Sequence, residues 1–176
     1  MELRIINGAQ AIESGLAEQI IEFDKRNMKA VLESAGIEFP EERRRRGLRG
    51  NPTFIVAFES ESIAGYVEYS RSWNDTSYIY VGSIQIDEQH RNGSLILRLL
   101  DGLRSLLAGE DFVGFETNVQ KSNRLAVKMY RKIGFELEQN PRNEASWTAR
   151  AGREILDTSP VIPLLNRWRE KTQGAA

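Results

Sequence analysis

The sequence has no cysteine and a single histidine, His90, among its 176 residues. Without cysteine there is no disulfide, no thiolate nucleophile and no zinc site built on sulfur. One imidazole excludes a multi-histidine metal cluster and leaves a serine-type triad improbable, so His90 reads as a surface side chain in a polar turn. No apolar run approaches the ~20 residues that a membrane span needs. The opening MELRIINGAQAIESG also lacks the basic-then-apolar pattern of a secretory leader, and a cytoplasmic protein is expected. Charge of one sign is missing too: 24 Lys+Arg against 25 Asp+Glu leave −1, so no whole-protein field draws in a membrane or a nucleic acid. No RRM, KH or helix-turn-helix signature supports nucleic-acid binding either. The chemistry is left to tyrosine, carboxylates, backbone amides or a borrowed cofactor.

What is present is a globular composition, 40% hydrophobic and 28% charged, at a length that suits one core. Leu3, Ile5 and Ile6 predict a strand ended by Asn7-Gly8. Ile12, Leu16, Ile20 and Phe23 then recur at helical spacing, and Met28, Val31, Leu32 and Ala35 predict a second helix ended by Gly36. Phe39 to Pro52 carries the run Glu41-Glu42-Arg43-Arg44-Arg45-Arg46 and reads as a loop or short helix. Three antiparallel strands are expected at Thr53–Phe58, Ile63–Ser70 and Ser77–Ile86, and a helix from near Asn92 through Leu107. A strand at Phe112–Thr117, a helix at Ser122–Ile133 stopped by Gly134, and a hairpin of Phe135–Glu138 with Ala145–Ala149 complete the order β-α-α-β-β-β-α-β-α-β-β. Residues 1–150 form the expected domain. Residues 151–176 form a tail with a short packing helix around Pro160–Leu165 and Trp168, and Thr172–Ala176 are expected to be disordered.

Two segments carry candidate chemistry. Between Ile84 and Ser94 a strand ends in a polar turn and a long helix starts, a junction whose free amides suit an anion. Glu68 and Glu116 are carboxylates inside apolar strands, where each needs a partner or a function, and strand alternation places Asn118 on the face of Glu116. Arg43–Arg46 with Arg49 form either a solvated face or an anion-recruiting one. Tyr66, Tyr69, Tyr78, Tyr80 and Trp73 are candidate pocket walls.

The second segment, Asn123-x-x-Ala126-x-x-Met129-Tyr130-x-Lys132-x-Gly134-Phe135, resembles the closing motif of the GNAT superfamily of acyl-CoA-dependent N-acyltransferases. Ile84-x-Ile86-x-x-x-x-Arg91, running into Leu99-Leu100-Asp101, resembles the family's CoA-binding motif. Over roughly residues 2–150 the element order also resembles the family's. The small-residue positions of the phosphate loop are Ser94 and Ile96, and the frequent proline before it is Glu88. The resemblance implies an α/β (α+β) fold with a mixed, mostly antiparallel twisted sheet flanked by helices. It implies acetyl-CoA as cosubstrate, an amine-bearing acceptor that is a small molecule or a protein, and direct attack in a ternary complex. The strand ending at Ile86 would splay from the next, with a bulge near Gly82-Ser83. The resemblance also implies residue roles: Ile84 and Ile86 pair with pantetheine, Arg91, Asn92, Gly93, Ser94, Leu95 and Ile96 hold the pyrophosphate, and Asn118 and Asn123 contact the cofactor. Tyr130 would be the general acid, and Glu68 or Glu116 the base unless water relays the proton. No metal is implied, and a homodimer through the last strands or the tail is compatible with the pattern. The alternatives are an acyl-CoA sensor without turnover, or a module whose arginines and tail bind an acidic partner.

Overall fold

A computed structural model describes residues 1–34, 36–91 and 94–173. Seven strands form one sheet in the order β1-β2-β3-β4-β5-β7-β6. They are β1 (Glu2–Asn7), β2 (Thr53–Glu59), β3 (Ser62–Arg71), β4 (Tyr78–Ile86), β5 (Gly114–Gln120), β6 (Glu136–Gln139) and β7 (Ser146–Gly152). The helices are α1 (Gly8–Glu13), α2 (Leu16–Ser34), α3 (Glu41–Arg49), α4 (Leu95–Leu107), α5 (Arg124–Ile133), α6 (Ile155–Thr158) and α7 (Ile162–Gln173). The described registers are antiparallel for β1–β2, β2–β3, β5–β7 and β6–β7, and parallel for β4–β5. This is the expected mixed, mostly antiparallel sheet flanked by helices. The chain divides into two compact units, Met1–Ser70 with Gly82–Leu99, and Arg71–Val81 with the residues from Leu100 onward.

In the first unit the apolar residues of α1, α2, β2 and β3 form a core around Ile20, Ile21, Phe54, Val56 and Tyr66. One helix stands where the sequence pattern suggested a division: α2 is continuous from Leu16 to Ser34, and the break falls earlier, at Ser14 and Gly15. Gly15 adopts φ +76°, a left-handed conformation that glycine enters without Cβ strain. The polar stretch Asp24–Asn27 holds no breaker, so the helix runs through it. Gly36 is left-handed as expected, with φ +64°, whereas Ala35 lies outside the described residues. The arginine run is α3, bounded by Pro40 and Gly50. The described register irregularity lies between Ala57 and Phe58 of β2.

In the second unit Phe112, Phe115, Phe135 and Tyr130 make a chain of ring contacts at 5.1, 6.3 and 5.2 Å between centroids. Phe112 belongs to this core although β5 starts only at Gly114, so the apolar run marks burial rather than the strand's edge. The hairpin is displaced as well. β7 extends to Gly152 and lies between β5 and β6, pairing with both. The C-terminal segment forms two helices. Ser159 donates to the Ile133 carbonyl at 2.5 Å, Leu165 is buried, and Arg169 pairs with Asp101. Helix α7 includes Thr172 and Gln173, and Gly174–Ala176 lie outside the described residues.

Candidate functional site

In the first unit, the end of β4 leads into a 3-10 turn at Glu88–His90. Asp87 holds that turn in three ways: its side chain accepts from the Gln89 amide, its amide donates to the Ala64 carbonyl, and Arg26 pairs with it at 2.6 Å. Ile84 and Ile86 are half-buried, and the Ile86 carbonyl accepts from Asn27 at 3.3 Å and from Arg91 at 3.4 Å. His90 pairs with Glu59 at 3.4 Å. Helix α4 takes its first turn from Ser94, whose carbonyl accepts from Arg98. The amides of Leu95, Ile96 and Leu97 therefore have no intrahelical acceptor. Arg91 and Ser94 are exposed, Ile96 is half-buried and Leu95 is buried, while Asn92 and Gly93 lie outside the described residues.

Glu68 sits in a buried polar cluster. Arg44 donates to Glu68 Oε2 at 2.6 Å, to Asp24 Oδ2 at 2.7 Å and to the Tyr66 hydroxyl at 3.1 Å, and Tyr66 donates to Asp24 Oδ1. Asp24 is 3% exposed and Glu68 8%. Burial raises the pKa of both carboxyls, against the opposing pull of the Arg44 guanidinium. Beside this cluster β4 carries Gly82, where a Cβ would come within 3.1 Å of the Glu68 carboxyl carbon. Glycine thus leaves the carboxyl a place against β4 at Gly82, which is exposed between buried Val81 and half-buried Ser83. Tyr66 is fully buried, and burial places it in the core rather than on a pocket wall.

In the second unit, Glu116 is buried and accepts from Arg150 Nε at 3.1 Å and Nη2 at 2.9 Å, with Asn74 at 3.4 Å from its other oxygen. Asn118, two residues on, is exposed. Asn123 is the N-cap of α5, its side chain accepting from the Ala126 amide at 3.1 Å. The helix ends at Gly134, with φ +112°, where the amides of Gly134 and Phe135 close onto the Tyr130 carbonyl. Tyr130 is 5% exposed, and burial pushes its pKa up to about 12, opposed by a hydrogen bond with Thr117. Thr117 in turn donates to the Val81 carbonyl at 2.6 Å. On the surface Trp73 is 69% exposed and carries the Arg142 guanidinium 4.4 Å from its ring centre.

Asp24 and Thr117 were not singled out by sequence reasoning, and Arg44 was named only as one of the run Arg43–Arg46. Asp24 did leave a signal, a carboxylate one residue after Phe23 on the apolar stripe of Ile20 and Phe23. A cavity of about 430 Å³ in the second unit, lined by Arg104, Ser105, Arg153, Asp157 and Arg169 among others, contains none of the expected residues. No group of three or more potential metal ligands is present among the described residues. Nor is any helix there long and apolar enough to cross a membrane.

Comparison with known proteins adds three findings. A family model described as the acetyltransferase (GNAT) family matches residues 18–135. None of the curated proteins matches the sequence. Among solved structures, the PaiA N-acetyltransferase of Thermoplasma acidophilum in complex with coenzyme A is similar with a TM-score of 0.64 at 14% identity, over 86% of this chain and 99% of that one. A GNAT-family acetyltransferase of Staphylococcus aureus gives 0.65 at 17% identity over the same shares. Arabidopsis thaliana NAA60 with a bisubstrate analogue gives 0.59 at 14% identity, over 86% of this chain and 98% of that one. At these identities the likeness is one of fold.

Proposed function

Because the chain belongs to the GNAT family of acetyltransferases, we propose that it transfers the acetyl group of acetyl-CoA to a primary amine by direct attack within a ternary complex. The observation that carries the reading is the construction of α5. The helix is capped by Asn123, stopped by left-handed Gly134, and holds a buried Tyr130 hydroxyl bonded to Thr117. Acetyl-CoA would supply the activated acyl carbon. The free first amides of α4, with Arg91 and Ser94 beside them, fit a diphosphate. Ile84 and Ile86 would present backbone to the pantetheine arm, with Asn118 and Asn123 as side-chain contacts; Asn92 and Gly93 complete the proposed loop.

As the C–N bond forms and the C–S bond breaks, Tyr130 donates its O–H to the departing sulfur. With its pKa pushed up to about 12 it stays protonated at working pH. The amine's proton goes to an interior carboxylate, Glu68, whose carboxyl borders Gly82, or Glu116, unless water relays it. Orientation of amine and thioester supplies the larger share of the rate, up to ~7–11 kcal/mol in favourable cases.

The test is a thermal unfolding titration with acetyl-CoA, followed by CoA release across a panel of amines. A saturable rise in midpoint with amine-dependent release is expected. Tyr130→Phe should cut kcat by roughly 10²–10⁴-fold and leave the acetyl-CoA dissociation constant unchanged; unchanged turnover would remove Tyr130 from the reaction. A second reading, an acyl-CoA sensor or partner-binding module without turnover, draws on Glu68 and Glu116 each being held by an arginine. Tight binding with no CoA release from any amine would favour it.

A further inference from the structure

Asn118 is exposed on β5, yet its amide is fixed by buried groups of the adjoining strand and loop. The chain of donors and acceptors can be followed from a group whose polarity is fixed. The Arg142 backbone amide donates to Asn140 Oδ1 at 2.9 Å, so the other end of the Asn140 side chain is its NH₂. That nitrogen donates to Asn118 Oδ1 and to Ser146 Oγ, both at 3.0 Å. The Ser146 hydroxyl donates to the Asn143 carbonyl at 3.2 Å, which leaves Ser146 Oγ as the acceptor that Asn140 requires. The Thr148 hydroxyl adds a second bond to Asn118 Oδ1, at 3.2 Å. Every bond is directed, and all of them place the oxygen of Asn118 inward. No described hydrogen bond uses its nitrogen.

We propose that Asn140, Ser146 and Thr148 are positioning residues that hold the Asn118 amide with its two N–H donors turned outward, to bind an acceptor oxygen of the ligand. The inference rests on the acetyl-CoA reading above and adds to it how Asn118 is set and what it recognises. An exposed asparagine ordinarily samples both amide orientations and several rotamers, at a cost in entropy when a ligand selects one. Here two buried donors have already selected it: Asn140 and Thr148 are each 9% exposed, and Ser146 is 3% exposed. The complementary group is a carbonyl, carboxylate or phosphate oxygen. It can come from the cofactor, whose pantetheine arm carries amide carbonyls, or from the amine acceptor.

Asn118→Asp is the informative variant. It keeps Oδ1 as the acceptor for Asn140 and Thr148 and replaces only the outward NH₂ by an oxygen. Binding of coenzyme A is measured by calorimetry, and KM and kcat are measured with an amine that supports CoA release by the unaltered chain. If the cofactor supplies the oxygen, Asn118→Asp weakens coenzyme A binding roughly tenfold or more. If the acceptor supplies it, coenzyme A binding is unchanged and KM for the amine rises by a similar factor with a smaller change in kcat. Thr148→Val should move the same constant in the same direction by less, and Thr148→Ser, which retains the hydroxyl, should restore it. That rescue separates positioning from a general loss of packing. Unchanged constants in Asn118→Asp overturn the inference alone. An unaltered chain that neither binds acetyl-CoA nor releases CoA overturns the acetyltransferase reading and this inference with it.

Discussion

Glu68 and Glu116 are each a carboxylate on a β-strand among apolar neighbours, one in each compact unit, and each is paired with an arginine. The arginines differ. Arg44 is itself enclosed, with 15% of its side chain exposed, and divides its guanidinium among Glu68, Asp24 and Tyr66. Arg150 is 52% exposed and gives two hydrogen bonds to one oxygen of Glu116. Two carboxylates share one cation in the first unit, so burial is incompletely compensated and both pKa values rise. In the second unit one carboxylate has one cation whose far side stays in water. Equal burial of two glutamates therefore conceals unequal electrostatic situations, and the counter-ion's own exposure is what separates them.

The two carboxylates should differ most in their dependence on Arg44 and Arg150. Arg44→Ala strands two buried carboxylates and a tyrosine hydroxyl, and should destabilise the fold by about 3–5 kcal/mol in urea unfolding. A loss below about 1 kcal/mol would mean that the cluster is hydrated and contributes like a surface pair. Next in size is a pH effect. Asp24 and Glu68 have raised folded-state pKa values, so the folded chain keeps protons that the unfolded chain releases. Their contribution is complete below the ordinary carboxylate range near ~4 and is lost as pH rises through the raised values. Asp24→Asn should flatten that fall, by at most about 1.4 kcal/mol per pH unit, in urea midpoints compared from pH 4 to 7.5. A slope identical to that of the unaltered chain would deny Asp24 its raised pKa. The smallest change is expected for Arg150→Ala, about 1 kcal/mol or less, because water can solvate the Glu116 carboxylate from the side that Arg150 vacates. A cost equal to that of Arg44→Ala would erase the distinction.

The sequence made some of this legible for physical reasons. Asn123 and Gly134 do their work locally, as an N-cap and a left-handed C-cap, and local rules identify both ends of α5 from the chain alone. Four arginines in a row carry no such information until the helix phase is known. Once α3 forms, Arg44 falls one turn before buried Leu48 and turns inward, Arg45 reaches Glu18 and Glu41, and Arg43 and Arg46 are exposed. Helical spacing encodes the Arg45–Glu41 pair, but Asp24, Glu68 and Glu18 lie twenty or more positions from the arginines that they meet, and residue spacing does not encode those pairings. The same holds for Asn118. Its alternation on β5 was legible, but its partners Asn140 and Thr148 follow from β7 pairing with β5, where a simple hairpin would have placed β6. The division of α2 failed because polar residues at 24–27 look like a boundary, although one of them is buried against Arg44.

The insertion of β7 between β5 and β6 has a consequence for how the sheet is completed. Among the described residues β6 pairs only with β7, and β5 meets β7 along its whole length from Gly114 to Gln120. Both strands are made before the segment that joins them. Until Ser146–Gly152 docks, the β5 edge that takes β7 and the whole of β6 are unpaired, and unpaired edges are templates for association with other chains. The step that this end of the sheet waits for is therefore the docking of a seven-residue strand, Ser146–Gly152, and a chain in which that strand is loose is the one most exposed to edge-to-edge association.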